Sequence, residues 1–353
     1  MIKLPGLVDV HVHIREPGAT HKEDWESGTA AALAGGITAV LAMPNTDPPI
    51  TDASSLSYSL SAARMKTYCD YAQFLGAGPD NYIYLPELGR YTAGLKMYLD
   101  QTYGQLRLDE MPQWVKHFKN WPGEYPIAVH AEGRTLAAVI LLAFLYDKPL
   151  HVCHVSLREE ILLIKEAKNR GLKITCEVTP HHLFLTNEDI PSLGNGRSEV
   201  RPRLATADDR DALWENLEVV DCFATDHAPH TLSEKDGINP PPGFPGLETA
   251  LPLMLSAVRE GRLSLDDLVM RMYTNPRKIF NLPSQSDTWI EIDQDVEQEI
   301  RAQTHYTRCA WTPFEGFQVC GKVHRVVLRG EEVFRDGKVL ASPGTGVNLR
   351  PAI

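Results

Sequence analysis

The sequence predicts an α/β fold, a (β/α)8 TIM-like barrel with a small β-rich appendage at its C-terminal end. Three observations carry that expectation. Short β-rich runs alternate with helical patterns through most of the chain, which implies parallel strand pairing. Eight such runs occur over roughly 250 residues, the usual size of a (β/α)8 barrel. After Asn281 the texture changes to patterns of antiparallel strands.

The runs follow in order. Leu7–His13 closes the segment LPGLVDVHVH and is followed by a helical pattern at Glu23–Leu33. Ile37–Met43 precedes a helix at Ala53–Lys66, and Tyr68–Leu75 and Leu95–Leu99 come next. A helix at Asp109–Lys119 leads to Pro126–His130. The longest apolar stretch, LAAVILLAFLY at Leu136–Tyr146, is too short to span a bilayer and reads as a buried helix. Leu150–His154, a helix at Arg158–Arg170, Ile174–Val178, a helix at Asp208–Leu217 and Val219–Thr225 complete the series. An open, doubly wound sheet is the alternative, but no glycine-rich dinucleotide fingerprint follows the first strand. Gly237–Gly246, GINPPPGFPG, is too rich in proline and glycine for regular structure and reads as a stiff loop. Beyond it, Thr288–Asp293 and Lys322–Phe334 read as antiparallel strands, with a hairpin signal at Arg335-Asp336-Gly337-Lys338. The expected division is a catalytic barrel over residues 1–284 and a β-rich unit over 285–353.

Composition narrows the function classes. The 353 residues are 43% hydrophobic and 23% charged, with a formal net charge of -11. No basic run is present to collect phosphates, so nucleic acid is not an expected partner. No stretch reads as a membrane span. The N-terminus enters a strand directly, without the features of a secretory signal. The six cysteines (69, 153, 176, 222, 309 and 320) show no paired spacing. They read as reduced thiols in a cytoplasmic protein.

In a barrel the C-terminal ends of the strands face the active site. His11 and His13 share one face of the first strand, about 7 Å apart along the backbone, and neutral imidazole suits a divalent metal. Lys96 lies in the fourth strand, His130 ends the fifth, His154 the sixth, and the eighth runs into Asp226. Each alone is weak; together they place metal-competent groups on five strands of one rim. Lys96 is the odd member, because an ammonium has no lone pair to offer. It reads either as a strand-end lysine that binds substrate or reaches to solvent, or, desolvated near a metal, as an amine that reacts with carbon dioxide to form a carbamate whose two oxygens bridge two ions.

The motifs HVHIREPG, MPNT, GLKMYL, HAE, CHVS, PHHL, ATDHAPH and PPPGFPGLET, in this order and over nearly the whole chain, resemble the dihydroorotases of the amidohydrolase superfamily. The resemblance is strongest to the dihydroorotase domain of the animal multifunctional pyrimidine-synthesis proteins. It implies a binuclear zinc centre. One zinc would take His11, His13, carboxylated Lys96 and Asp226, and the other Lys96, His130 and His154. It also implies a third zinc near His11, held by Cys153 and Glu177, with His182 close by as a ligand-orienting group.

The implied reaction is reversible cyclisation of N-carbamoyl-L-aspartate to L-dihydroorotate in pyrimidine biosynthesis, with Asp226 as the proton carrier. The substrate is anionic, so an acidic chain needs local cations. Arg15, on the face of His11 and His13, is the expected carboxylate clamp. Asn45, Arg201 and His230 are the expected further contacts, and Pro242 and Gly243 would offer backbone groups from the stiff loop. Thr102 and Tyr103 correspond to a loop that closes over substrate. Relatives commonly carry phenylalanine where this chain has Tyr103, whose hydroxyl therefore needs a partner or water. The resemblance further implies a homodimer and fusion to carbamoyl-phosphate synthetase and aspartate transcarbamoylase domains. Two readings compete: another cyclic-amide hydrolase of dihydropyrimidinase or allantoinase type, and a non-catalytic scaffold that keeps the barrel.

Overall fold

β-Branched and aliphatic runs such as Ile37–Ala42 (ITAVLA), with every residue buried, form the strands of a parallel barrel in the computed structural model, which describes residues 1–353. Leu7–Val12 pairs in parallel with Ile37–Ala42, and that strand with Asp70–Gln73. Phe74 interrupts the third strand. The strand resumes at Leu75–Gly76 and opens a second parallel series through Leu95–Tyr98, Ile127–His130, Leu150–Val152, Ile174–Val178 and Cys222–Phe223. The ring closes where the His13 amide donates to the His227 carbonyl at 2.8 Å. Below that contact the Asp9 carboxylate accepts from the Thr225 hydroxyl at 2.5 Å and from the Thr225 amide at 3.2 Å, joining the first and last strands.

The expected helices form at Trp25–Ala34, Ala53–Lys66, Met111–Asn120, Arg134–Leu145, Arg158–Asn169 and Ala207–Glu215. Asp24 and Asp52 cap the first two, each accepting from a serine amide in the first turn. The eighth strand is shorter than expected. A 3-10 turn at Leu217–Val219 takes up its start and only Cys222–Phe223 pairs.

The Arg134–Leu145 helix, read from Leu136–Tyr146 as a buried helix, is buried on one face only. Leu136, Val139, Ile140 and Leu142 face the core, whereas Leu141, Phe144 and Leu145 are exposed. A continuous apolar run hides this asymmetry, because both faces of the helix carry the same residue type. Leu162 and Leu163 of the Arg158–Asn169 helix are exposed as well.

The C-terminal sheet is antiparallel, in the order Ile2–Pro5, Trp289–Glu299, Gln318–Leu328, Glu331–Arg335 and Lys338–Val339. The run expected as one strand at Lys322–Phe334 is thus two, and the turn at Arg335–Lys338 joins the last pair. Its outer strand comes from the other end of the chain, with Ile2 opposite Ile292 and Pro5 opposite Trp289. The chain passes from this sheet into the barrel at Gly6, where a side chain would collide with Thr38. The boundary expected at residue 284 is therefore crossed twice. Ile2–Pro5 belongs to the C-terminal sheet, and the final residues return to the barrel floor. There the Arg350 guanidinium donates to the carbonyls of Thr92 (2.9 Å), Asn281 (3.1 Å) and Phe280.

Candidate active site

Alternation along the strands decides which side chains meet. Asp9, His11 and His13 share a parity, as do Lys96 and Tyr98, Ala128 and His130, and His151 and Cys153. All these strands are parallel, so the inward residues nearest their C-terminal ends converge. His11, His13, Arg15, Asn45, Thr102, Tyr103, His130, His154, Arg201, Asp226, Pro242 and Gly243 line one cavity, together with Tyr98 and Ala228. The geometry thus brings most of the metal-type residues and expected substrate contacts to one place; Lys96, Cys153, Glu177 and His230 do not line the cavity.

At its base the Asp226 carboxylate lies 3.0 Å from His13 Nε2 and 3.2 Å from His11 Nε2. Burial opposes the charge on Asp226, but the neighbouring imidazoles outweigh it and hold the carboxyl well below its usual range. Burial pushes His13 down to about 4, so at neutral pH it presents a lone pair. Asn45 Oδ1 lies 2.6 Å from His13 Nδ1 and fixes that lone pair on Nε2. The amide nitrogen of Asn45 donates to the Tyr103 carbonyl at 3.1 Å. Both ends of this side chain are therefore engaged, in ligand orientation and in holding the loop.

Opposite them, His130 Nδ1 and His154 Nε2 are 2.9 Å apart. His130 Nε2, His154 Nδ1 and the Tyr98 hydroxyl are buried without a hydrogen-bond partner. Buried polar atoms are almost always paired, so this concentration marks a place built for something else. Two of the residues here, His154 and Asp226, have positive φ (37° and 46°) although neither is glycine. Such backbone cost gathers at functional sites.

Lys96 is 0% exposed and has no carboxylate partner; its amine donates only to the Cys153 sulfur, at 2.9 Å. A fully buried ammonium without an acid beside it is costly, whereas a carbamate anion facing two cations is not. The donor set therefore fits a metal centre, and His11, His13 and Asp226 lie close enough together to share one ion. His11, Cys153 and Glu177 form a second such group. Glu177 is paired to His11 Nδ1 and lies 3.0 Å from His151 Nε2.

His182 does not join this second group. Its Nδ1 contacts the Thr179 hydroxyl at 2.8 Å and its Nε2 the Pro202 carbonyl at 3.2 Å. The adjacent His181 is the one whose Nε2 is buried without a partner.

On the cavity wall, Arg15 Nε donates to the Pro229 carbonyl at 3.1 Å. His230 is fully buried between Arg15 and the Pro242 carbonyl, 3.1 Å from its Nε2. Arg201 donates to Glu199 and to the Val200 carbonyl, both at 2.8 Å. The Pro-rich loop is stapled by Lys235, whose ammonium donates to the carbonyls of Glu199 (2.7 Å) and Pro241 (2.9 Å). Sequence reasoning missed Asp9, Lys22, Tyr98, His151 and Lys235. Tyr98 and His151 carried a signal, since each shares strand parity with a residue already singled out.

Fold and site together define an amidohydrolase-type barrel of the hydantoinase and dihydroorotase class. The family model described as "Dihydro-orotase-like" matches residues 1–69. A dihydroorotase from Pyrococcus furiosus is 39% identical over 96% of this chain and 83% of its own length. The chain belongs to the dihydroorotase family. It is 56% identical to Multifunctional protein CAD of Squalus acanthias and 58% identical to Multifunctional protein pyr1-3 of Dictyostelium discoideum, over 99% of the chain in both cases. It spans only 16% of the length of each. Among solved structures, an L-hydantoinase (dihydropyrimidinase) from Arthrobacter aurescens superposes with a TM-score of 0.94 at 26% identity, covering 99% of this chain and 89% of that one. The inactive dihydroorotase-like domain of a CAD-like multifunctional protein from Chaetomium thermophilum superposes at 0.84 with 30% identity, covering 99% of both chains.

Proposed function

We propose that this chain is a zinc-dependent dihydroorotase that interconverts N-carbamoyl-L-aspartate and L-dihydroorotate, acting as one domain of a multifunctional pyrimidine-biosynthetic protein. One observation carries the reading. The metal-type residues His11, His13, His130, His154 and Asp226 line the same cavity as Arg15, a cation suited to a substrate carboxylate. Two zinc ions held by these residues and a Lys96 carbamate would supply Lewis acidity, which makes hydroxide available near neutral pH and polarises an amide carbonyl.

The chain's own groups do the rest. The Asp226 carboxylate accepts the proton of the attacking water and returns it to the ring nitrogen that leaves; in the biosynthetic direction the transfers reverse. Arg15 takes the carboxylate in a forked pair. Asn45 keeps His13 in its ligating tautomer, and Thr102 and Tyr103 cover the cavity against water. The six buried free cysteines agree with a reducing, cytoplasmic setting. No helix is long and apolar enough to cross a membrane. A homodimer belongs to the same reading, and the exposed face of Leu141, Phe144 and Leu145 is a surface for it.

Two further readings have support of their own. The hydantoinase likeness favours a neutral cyclic substrate, and the inactive domain favours a scaffold without catalysis. Against the first stands Arg15, which a neutral ring leaves unpaired. Against the second stands a donor set with no position lost. Zinc content and turnover of L-dihydroorotate beside a dihydropyrimidine decide among them. The expected result is two or three zinc ions per chain and turnover of dihydroorotate alone. Turnover confined to the dihydropyrimidine overturns the substrate assignment, and a metal-free, inert chain establishes the scaffold.

A further inference from the structure

Lys22 has no role in the chemistry above, yet it is 4% exposed and lies directly behind the cavity residue Tyr103. An ammonium has three donors and no acceptor. Three acceptors surround this one: Glu234 Oε1 at 2.9 Å, His230 Nδ1 at 3.1 Å and the Tyr103 hydroxyl at 3.2 Å.

The contact with His230 fixes a proton. Because Lys22 can only donate, Nδ1 of His230 must accept. A neutral imidazole carries one donor and one acceptor, so its proton sits on Nε2 and is given to the Pro242 carbonyl at 3.1 Å. Arg15 Nη2 also lies 3.1 Å from Nε2, but two donors cannot bond to each other. That arm of Arg15 is therefore unspent and remains available to the cavity. Burial first, and then the nearby cations Arg15, Lys22 and Lys235, lower the pKa of His230, which keeps it neutral.

The contact with Tyr103 fixes the loop. The phenol ring meets His230 edge-on at 4.9 Å and lies under the Arg15 and Lys22 cations at 5.2 and 4.9 Å. The hydroxyl that a phenylalanine would lack is the atom that receives the third Lys22 hydrogen.

We propose that Lys22 is a positioning residue with two tasks: it sets the His230 tautomer, which frees Arg15 for an anionic ligand, and it latches the Thr102–Tyr103 loop through the Tyr103 hydroxyl. The inference rests on the dihydroorotase reading for its ligand but not for its geometry. The test combines Lys22→Met, Tyr103→Phe and the double variant in the zinc-loaded protein with 15N spectra of labelled histidine, His230 being assigned by its loss in His230→Asn. Lys22→Met raises KM for dihydroorotate by about 10-fold with kcat within about twofold, the scale of a lost charge-assisted hydrogen bond. Tyr103→Phe raises KM by about threefold in the parent and adds nothing in Lys22→Met, since the lost hydrogen bond is the same one. The wild-type spectrum shows His230 protonated on Nε2, and in Lys22→Met that preference weakens to what the Pro242 carbonyl alone holds. If Lys22→Met does not fold, Lys22→Arg replaces it, because a planar fork cannot reach the same three acceptors. Independent, multiplying effects on KM overturn the latch, and a His230 proton on Nδ1 in the wild type overturns the tautomer. An enzyme inert towards dihydroorotate sinks the functional reading alone, since the spectra still decide the role of Lys22.

Discussion

The two ends of the barrel treat polar groups in opposite ways. At the floor, Arg350 is 7% exposed and its guanidinium is matched to the carbonyls of Thr92, Phe280 and Asn281, with the Tyr125 ring 4.0 Å away. At the rim, equally buried atoms of His130, His154 and Tyr98 have no partner, and Lys96 has only a sulfur. Burial without pairing costs roughly 1–3 kcal/mol per group, so the rim is the expensive end and the floor helps to offset it. The contrast shows where the fold spends stability on binding: buried atoms without a partner cluster where the strand ends converge, whereas elsewhere they are limited to Trp25 Nε1, Thr67 Oγ1 and Arg277 Nε.

Removing the bridge should break this contrast most severely. Lys96→Ala deletes the one group that would serve both ions. Metal analysis should show zinc falling below one ion per chain, and turnover should drop about a thousandfold or more, the scale of several kcal/mol of lost charge stabilisation. Thermal stability without metal should stay level or rise, because a costly buried amine is gone. Wild-type zinc content and rate in this variant would remove the bridge from the reading. The floor should respond in the opposite sense. Arg350→Met leaves three carbonyls without donors and should cost about 3 kcal/mol in chemical denaturation, while KM and kcat of the folded fraction stay unchanged. A loss of turnover without a loss of stability would mean that floor and rim are not separable.

How far each end was legible from the sequence follows from the same physics. The rim could be read because strand parity and strand ends are local: His11 and His13 two apart, His130 and His154 each closing an apolar run. Arg15 and Tyr103 could be placed in the site, but Lys22 could not. It sits in a polar turn, THKEDW, where a lysine looks solvated, and its partners lie far along the chain at Tyr103, His230 and Glu234. The floor was invisible for a related reason. Arg350 meets carbonyls from two distant segments, and backbone acceptors leave no trace in residue type. The placement of Ile2–Pro5 was missed because a strand and the start of the next one, separated by a single glycine, read as one continuous run.

The smallest effect concerns the second ligand group within the rim itself. His11 is shared, with Nε2 towards Asp226 and Nδ1 towards Glu177, so the carboxylate of Glu177 can act either as the ligand of a third ion or as the anion that orients His11 for the first. Cys153 separates the two roles, because its sulfur is needed only by the third ion and by Lys96. If a third zinc is held, Cys153→Ala should lower the content by one ion per chain and change turnover by only about two- to threefold, while Glu177→Gln weakens the centre more strongly, roughly 10- to 100-fold in metal affinity, as expected when a histidine ligand loses its partner. If Cys153→Ala leaves the zinc count untouched, Glu177 serves only to orient His11. His151, 3.0 Å beyond it, then extends the line that fixes the imidazole from inside the barrel.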